Sequence, residues 1–237
     1  MSIKAVLFDL DGTLLPMDQD KFIKAYITGL AEYMVNFGYN PTEFVSTIWA
    51  GTAAMLGNDG SVTNEDAFWR AFKIVYGGKV IDDIPHFDEF YRTTFDAVGE
   101  LCGKNPKAVE IVKMLNRSGY RVVLATNPLF PSVATEARIR WAGLEPGDFE
   151  YFTTYENSSY CKPNLLYYRE IIEKLGLDAA ECLMVGNDVD DDMVAAELGM
   201  KVFLLTDCLI NKNNTDISRC SYGDFDRLMA FIKEGCK

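Results

Sequence analysis

Ile3-Lys4-Ala5-Val6-Leu7-Phe8-Asp9-Leu10-Asp11-Gly12-Thr13-Leu14 is a short apolar run that stops abruptly at two carboxylates and a glycine. The run has the length of a buried strand. Side chains two apart on a strand point the same way, so Asp9 and Asp11 share one face or one mouth. Carboxylates held that close repel, and burial raises their pKa values unless a cation is near. The pair therefore points to a metal, or to one nucleophilic and one proton-carrying carboxylate. A strand end followed by an Asp-Gly turn produces the same letters without any chemistry. The decision falls to what the rest of the chain carries.

The 237 residues suffice for one large domain, or for a core with a smaller domain attached. With 49% apolar and 24% charged residues, the composition is that of an ordinary soluble globular protein. A formal net charge of −12 argues against non-specific nucleic-acid binding and against docking on anionic lipid. No apolar stretch approaches the length of a membrane span. The N-terminus runs straight into a strand without a signal-peptide pattern, so a cytoplasmic protein is expected. The six cysteines are scattered and form no Cys-x-x-Cys pair, which indicates neither a zinc site nor a disulfide framework. His86 is the sole histidine, which excludes a Ser-His-Asp triad and a two-histidine metal site. Carboxylates, lysine and a bound metal are left to do chemistry.

Beyond the first strand, residues 21–99 read as helices. Phe22, Ala25, Tyr26, Leu30, Tyr33 and Met34 recur at helical spacing, and Pro41-Thr42-Glu43 opens a second helix to about Leu56. Asn64-Glu65-Asp66 starts a third that ends at Gly77-Gly78, and Asp88 to Val98 reads as a fourth. After Asn105-Pro106 the pattern alternates. Helices are expected over 106–118, 131–142, 163–175, 192–198 and 224–233, and strands over 120–125, 149–153, 182–185 and 201–205. Strands alternating with helices imply a parallel sheet covered on both faces. The expected fold is α/β, a doubly wound, five- to six-stranded Rossmann-like core over residues 1–15 and 105–237, with an inserted helical module over 16–104.

In open parallel sheets, ligands bind beyond the C-terminal strand ends, at the topological switch point. Asp9 and Asp11 follow the first strand, and Thr126-Asn127-Pro128 follows Ala125. Cys161-Lys162-Pro163 precedes a helix, and Gly186-Asn187-Asp188-Val189-Asp190-Asp191-Asp192 follows Val185. Each alone has an ordinary explanation as a turn, a surface lysine or a helix cap. Together they offer one hydroxyl, one ammonium and several carboxylates at one end of a sheet. That inventory suits phosphoryl transfer: Mg²⁺ takes oxygen ligands, an aspartate attacks phosphorus, and lysine and threonine hold the oxygens where charge gathers.

These residues, in this order, resemble the haloacid dehalogenase superfamily, and in particular its helical-cap phosphatases, the phosphoglycolate phosphatase and β-phosphoglucomutase type. The likeness covers residues 1–15 and about 105–205 well, and the 16–104 insert by position and helical character. It implies that Asp9 is the nucleophile and Asp11 the general acid/base, whose backbone carbonyl also ligates Mg²⁺. It implies that Thr126 and the Asn127 N–H hold phosphoryl oxygens, and that Lys162 bridges nucleophile and phosphate. Asp188 would complete the metal site, with Asp192 or Asp191 in support. The family's fourth motif usually begins Gly-Asp, whereas this chain has Gly186-Asn187-Asp188. Aligning on Asp188 pairs it with Asp192; aligning on Asn187 selects Asp191 and leaves an amide at the metal position. A carboxylate is the better Mg²⁺ ligand, which favours Asp188 with Asp192.

A carboxylate at position 11 fits a phosphatase or phosphomutase rather than a dehalogenase, which needs no acid there. The expectation is a Mg²⁺-dependent phosphomonoester hydrolase acting on a small phosphorylated metabolite through an aspartyl-phosphate, as a monomer or homodimer. A sugar phosphomutase and a catalytically silent binding protein are the competing readings. Phosphoglycolate, a sugar phosphate and a nucleotide are all open as substrates. Within the insert, Lys21, Lys24, Arg70, Lys73 and Lys79 read first as solvated helix charges. Trp49, Phe68, Trp69 and Phe72 read first as core. Gly51-Thr52 and Gly57 to Gly60 stand as hinge or specificity-loop positions.

Overall fold

Ala5–Phe8 (β1) buries all four of its side chains, as a strand covered on both faces must. Val6 and Phe8 pack on one side with Ile111, Leu115 and Leu228, while Ala5 and Leu7 pack on the other with Tyr167, Tyr168 and Ile171. Each large side chain removed from water in this way contributes about 1.5–3 kcal/mol. In the computed structural model, which describes residues 2–218 and 220–236, five α-helices follow β1 within residues 16–104. They are α1 (Gln19–Met34), α2 (Pro41–Leu56), α3 (Asn64–Tyr76), α4 (Val80–Arg92) and the short α5 (Asp96–Gly99). The chain then alternates through α6 (Pro106–Arg117), β2 (Arg121–Leu124), α7 (Ser132–Trp141), β3 (Tyr151–Phe152) and α8 (Leu165–Leu175). β4 (Cys182–Gly186), a 3₁₀ helix (Met193–Leu198), β5 (Lys201–Leu205), β6 (Ser221–Gly223) and α9 (Phe225–Lys233) complete it.

The helix starts carry the expected chemistry. Asp18, Asn40, Thr63 and Asn105 each accept a backbone N–H from the first turn of α1, α2, α3 and α6, and proline opens α2 and α6. The strands are all parallel, in the order β3-β2-β1-β4-β5-β6. This is the doubly wound arrangement, in which the chain reverses direction across the sheet at β1. The expected Rossmann-like core with a helical insert is the fold observed.

Three elements differ from expectation. The fourth helix of the insert starts at Val80 rather than Asp88 and holds Pro85 within it. Val80, Asp83, Phe87 and Phe90 fall on one buried face, and Asp83 accepts the Tyr39 hydroxyl at 2.7 Å, so packing outweighs the lost backbone bond at Pro85. The segment expected as a helix over 192–198 winds as 3₁₀. β6 has no counterpart among the expected strands, because Ser221-Tyr222-Gly223 has no apolar run; it forms by pairing with β5.

The insert has its own apolar interior, rich in rings, around Phe22, Phe44, Phe72, Phe87, Phe90 and Phe95. It is tied to the sheet at the start of α3. Asn64, fully buried, donates through Nδ2 to the carbonyls of Pro128 (3.3 Å) and Tyr160 (3.4 Å), and its N–H donates to Ser158 O (2.9 Å). These acceptors lie in the loops that carry Thr126 and Lys162. Asn64→Ala leaves the two carbonyls without their donor, and a loss of about 1–3 kcal/mol is expected in urea denaturation. An unchanged midpoint would show that the amide ties nothing together.

Candidate active site

The register Phe8↔Leu124 and Phe8↔Val185 sets the ends of β1, β2 and β4 side by side. Asp9 therefore emerges between Ala125-Thr126 and Gly186-Asn187, at the point where strand order reverses. Asp9, Asp11, Thr126, Asn127, Lys162, Asp188, Asp191 and Asp192 all line one cavity of about 190 Å³ there. All eight residues singled out in the sequence thus come together.

Lys162, at the centre, is 3% exposed. Its Nζ donates to Asp9 Oδ1 at 2.8 Å and to Asp192 Oδ1 at 2.6 Å. Burial alone would lower the pKa of the ammonium, but the Asp192 and Asp9 carboxylates outweigh it and hold the value well above that of an ordinary lysine. Asp192 in turn accepts the Asp188 N–H on Oδ2 at 3.0 Å. Its carboxylate lies against the backbone of Gly186, where any Cβ would overlap it, so glycine is required at that strand end.

The acidic loop after β4 divides its labour. Asp188 Oδ1 accepts the N–H groups of Asp190 (2.8 Å) and Asp191 (3.0 Å), which folds the loop and leaves Oδ2 without a protein donor among the described residues. Asp190 is exposed and bonded to Asn213. Asp191 lines the cavity, and its carbonyl accepts the Tyr168 hydroxyl at 2.7 Å. Asp192, not Asp191, contacts Lys162. Asn187 plays a different part: its Oδ1 accepts the Thr13 hydroxyl at 2.9 Å and its Nδ2 donates to Cys208 O at 2.7 Å. Its amide packs against Gly12, whose φ of +87° and lack of Cβ both favour glycine. Asn187 thus binds the loop after β1 to the loop after β4.

Thr126 is held through its backbone, since its carbonyl accepts the hydroxyls of Thr153 (2.6 Å) and Tyr167 (2.7 Å). The side-chain hydroxyl has no protein partner among the described residues. Asn127 Oδ1 accepts the Lys162 N–H at 3.3 Å, linking the loops after β2 and β3.

Two charged residues of the site do not stand out in the sequence: Lys212, which lines the cavity, and Arg138. Arg138, on α7, is completely buried and forms an ion pair through Nη1 with Asp11 Oδ2. Its guanidinium lies 4.2 Å from the Phe130 ring centroid, and its Nη2 donates to Thr135 Oγ1 at 3.3 Å. Burial raises the Asp11 pKa, Arg138 opposes that rise, and Asp9 adds to it. Asp11 Oδ1 is buried without a partner. A signal for Arg138 does exist, since it follows Ala134 by four and precedes Ile139, on the inward face of its helix. Arg138→Met would leave Asp11 unpaired. With cavity water reaching the one-fifth-exposed carboxyl, the expected cost is about 2–4 kcal/mol in urea denaturation. A cost below about 0.5 kcal/mol, the usual range for a surface pair, would deny the pair its structural weight.

Among the described residues, no three His, Cys, Asp or Glu side chains cluster as a metal cage. A hard cation held by two carboxylates needs no such cage. Asp9 Oδ2 and Asp188 Oδ2 are both free of protein donors among the described residues, and the Asp11 carbonyl faces Gln19 Nε2 at 3.4 Å. Two carboxylates and a carbonyl are a donor set Mg²⁺ accepts, with water and phosphate filling the remaining positions.

The model of the haloacid dehalogenase-like hydrolases matches residues 3–199. A phosphoglycolate phosphatase of Vibrio vulnificus is 26% identical over 213 residues, spanning 86% of this chain and 84% of the relative. The pyrophosphatase PpaX of Bacillus velezensis is 24% identical over 199 residues, spanning 84% of this chain and 81% of the relative. The crystal structure of a HAD phosphatase from Thermococcus onnurineus superimposes with a TM-score of 0.59 at 18% identity, covering 99% of both chains. No helix among the described residues is long and apolar enough to cross a membrane. With the match spanning most of the chain, this protein belongs to the haloacid dehalogenase-like hydrolases.

Proposed function

We propose that the chain is a Mg²⁺-dependent phosphomonoester hydrolase acting through an aspartyl-phosphate on Asp9. The observation that carries this reading is the buried Lys162 ammonium shared between Asp9 at 2.8 Å and Asp192 at 2.6 Å. It holds Asp9 at the edge of a cavity that also holds Thr126 and Asp11. The named activities of the relatives, phosphoglycolate phosphatase and pyrophosphatase, support the class of reaction.

In the first half-reaction an Asp9 oxygen attacks phosphorus, the bond to the ester oxygen breaks, and Asp11 protonates the departing alkoxide. Asp11 then removes a proton from water, which attacks the aspartyl-phosphate, releases inorganic phosphate and regenerates Asp9. The Thr126 hydroxyl, the Asn127 N–H and Lys162 meet the phosphoryl oxygens as charge gathers on them. Asp9, Asp188 and the Asp11 carbonyl would hold Mg²⁺, which when bound neutralises phosphoryl charge. Arg138 is a positioning residue that sets where the Asp11 carboxyl stands. We read residues 16–104 as a cap domain that closes over the site and excludes water, on the remaining core of 1–15 and 105–237.

The test is phosphate release from p-nitrophenyl phosphate and a panel of small phosphomonoesters, with Mg²⁺ or with EDTA, for wild type and Asp11→Asn. EDTA is expected to remove activity. Asp11→Asn is expected to slow turnover by about 10²–10⁴-fold, the usual worth of a positioned acid/base. Release indifferent to EDTA would sink the metal assignment, and an unchanged Asp11→Asn rate would sink the acid/base one.

A further inference from the structure

A second cavity of about 120 Å³ lies beside the reaction cavity, enclosed by α1, α2, α3, α4 and the loop after β2. Ile23, Leu129 and Phe130 line both, so the backbone that presents Thr126 and Asn127 to the reaction runs directly into the second cavity. Its walls are largely rings, with Tyr26, Trp69, Phe87 and Phe130 among them.

Two features separate it from an ordinary packing gap. The first is Trp69, which is 6% exposed and whose Nε1 has no hydrogen-bond partner, although the Tyr155 hydroxyl stands near it. A buried N–H left unpaired is costly, and an acceptor entering the cavity would satisfy it. The second is charge. Among the described residues Asp88 is the one ionisable acid or base other than tyrosine on its wall, and no lysine or arginine of the helical insert lines either cavity. Lys21, Lys24, Arg70, Lys73 and Lys79 all lie elsewhere. Within the second cavity a leaving group carrying a carboxylate, such as glycolate, meets Asp88 and no cation, since Lys162 and Lys212 line only the reaction cavity. Size narrows the choice further. An apolar cavity of about 150 Å³ holds benzene, so this one of about 120 Å³ has room for no more than one six-membered ring.

We propose that this cavity is the leaving-group subsite, and that the substrates are phosphomonoesters of alcohols bearing one uncharged aromatic or heteroaromatic ring, with an acceptor for the Trp69 N–H. The inference rests on the phosphatase reading above. Attack by Asp9 breaks the bond between phosphorus and the ester oxygen, and the aromatic alcohol leaves with the Asp11 proton. Water then hydrolyses the aspartyl-phosphate to inorganic phosphate and gives its proton to Asp11.

The experiment compares kcat/KM for benzyl phosphate, pyridinylmethyl phosphate, ethyl phosphate and phosphoglycolate. Wild type is set beside Thr52→Phe, which fills the cavity from α2, and Trp69→Phe, which keeps a ring but removes the N–H. Wild type should favour both ring esters over ethyl phosphate and phosphoglycolate by at least about tenfold, within the range a filled apolar pocket supplies. Thr52→Phe should erase that preference. Trp69→Phe should erase any advantage of pyridinylmethyl over benzyl phosphate while the ring preference survives. Equal rates for ring and ethyl esters, or a preference that survives Thr52→Phe, would overturn the subsite and leave the phosphatase reading intact. Turnover of no ester would instead sink the phosphatase reading. The subsite would then stand or fall on saturation transfer to benzyl alcohol in NMR, present with wild type and lost with Thr52→Phe if the cavity binds the ring, and equal in both if it does not.

Discussion

Asp9→Asn is expected to lower phosphate release by at least about 10⁴-fold while the protein folds to the same state. The substitution is isosteric, and the amide oxygen can still accept from Lys162, which keeps its second partner in Asp192. What disappears is the charge on the attacking oxygen. Repulsion between Asp9 and Asp11 disappears with it, since Asp9 is one of the groups raising the Asp11 pKa. Stability should therefore change by no more than about 1 kcal/mol in either direction. Phosphate release and a thermal unfolding midpoint, measured on the same sample, separate chemistry from folding. Activity within a hundredfold of wild type would remove Asp9 from the nucleophile's place.

Lys162→Met should fail in both respects. Its ammonium neutralises two carboxylates, one of them, Asp192, as buried as the lysine itself. Breaking a buried pair by removing one partner costs about 3–5 kcal/mol, because the remaining charge is left without water or counter-ion. Turnover should fall by at least about 10²-fold, since a donor to the transferring phosphoryl oxygens is gone. The double variant Lys162→Met/Asp192→Asn removes the stranded charge as well. It should recover most of the stability and none of the activity. Urea midpoints and phosphate release across wild type, both single variants and the double variant measure the two effects separately. If the double variant were no more stable than Lys162→Met, the buried charge would not be the source of the loss.

The parts of the site that stand at strand ends are legible in the amino-acid sequence. Asp9, Thr126 and Asp188 each follow an apolar run of strand length, and parallel strands place their C-terminal ends on one edge. Lys162 is legible by its motif, whereas its pairing with Asp192 at 2.6 Å emerges only in three dimensions. Arg138 does not stand out, because helical spacing marks the inward face of α7 without saying that a carboxylate waits opposite it. Trp69 reads as core, and it is 6% exposed. Its unpartnered Nε1 and the cavity it lines depend on the meeting of four helices with the loop after β2.

The sequence by itself determined the alternation of strand and helix, the parallel sheet, the position of the helical insert and the four polar segments at one sheet edge. These follow from local rules: side-chain period, capping residues and glycine or proline stops act within a few neighbours along the chain. Tertiary structure alone decided the path of α4 through Pro85, the strand at Ser221–Gly223, the Arg138–Asp11 pair and the aromatic cavity. In each of these, a partner distant along the chain, or a neighbouring strand or helix face, supplies the energy that local preference does not. That energy exists only once the sheet and the insert are packed together.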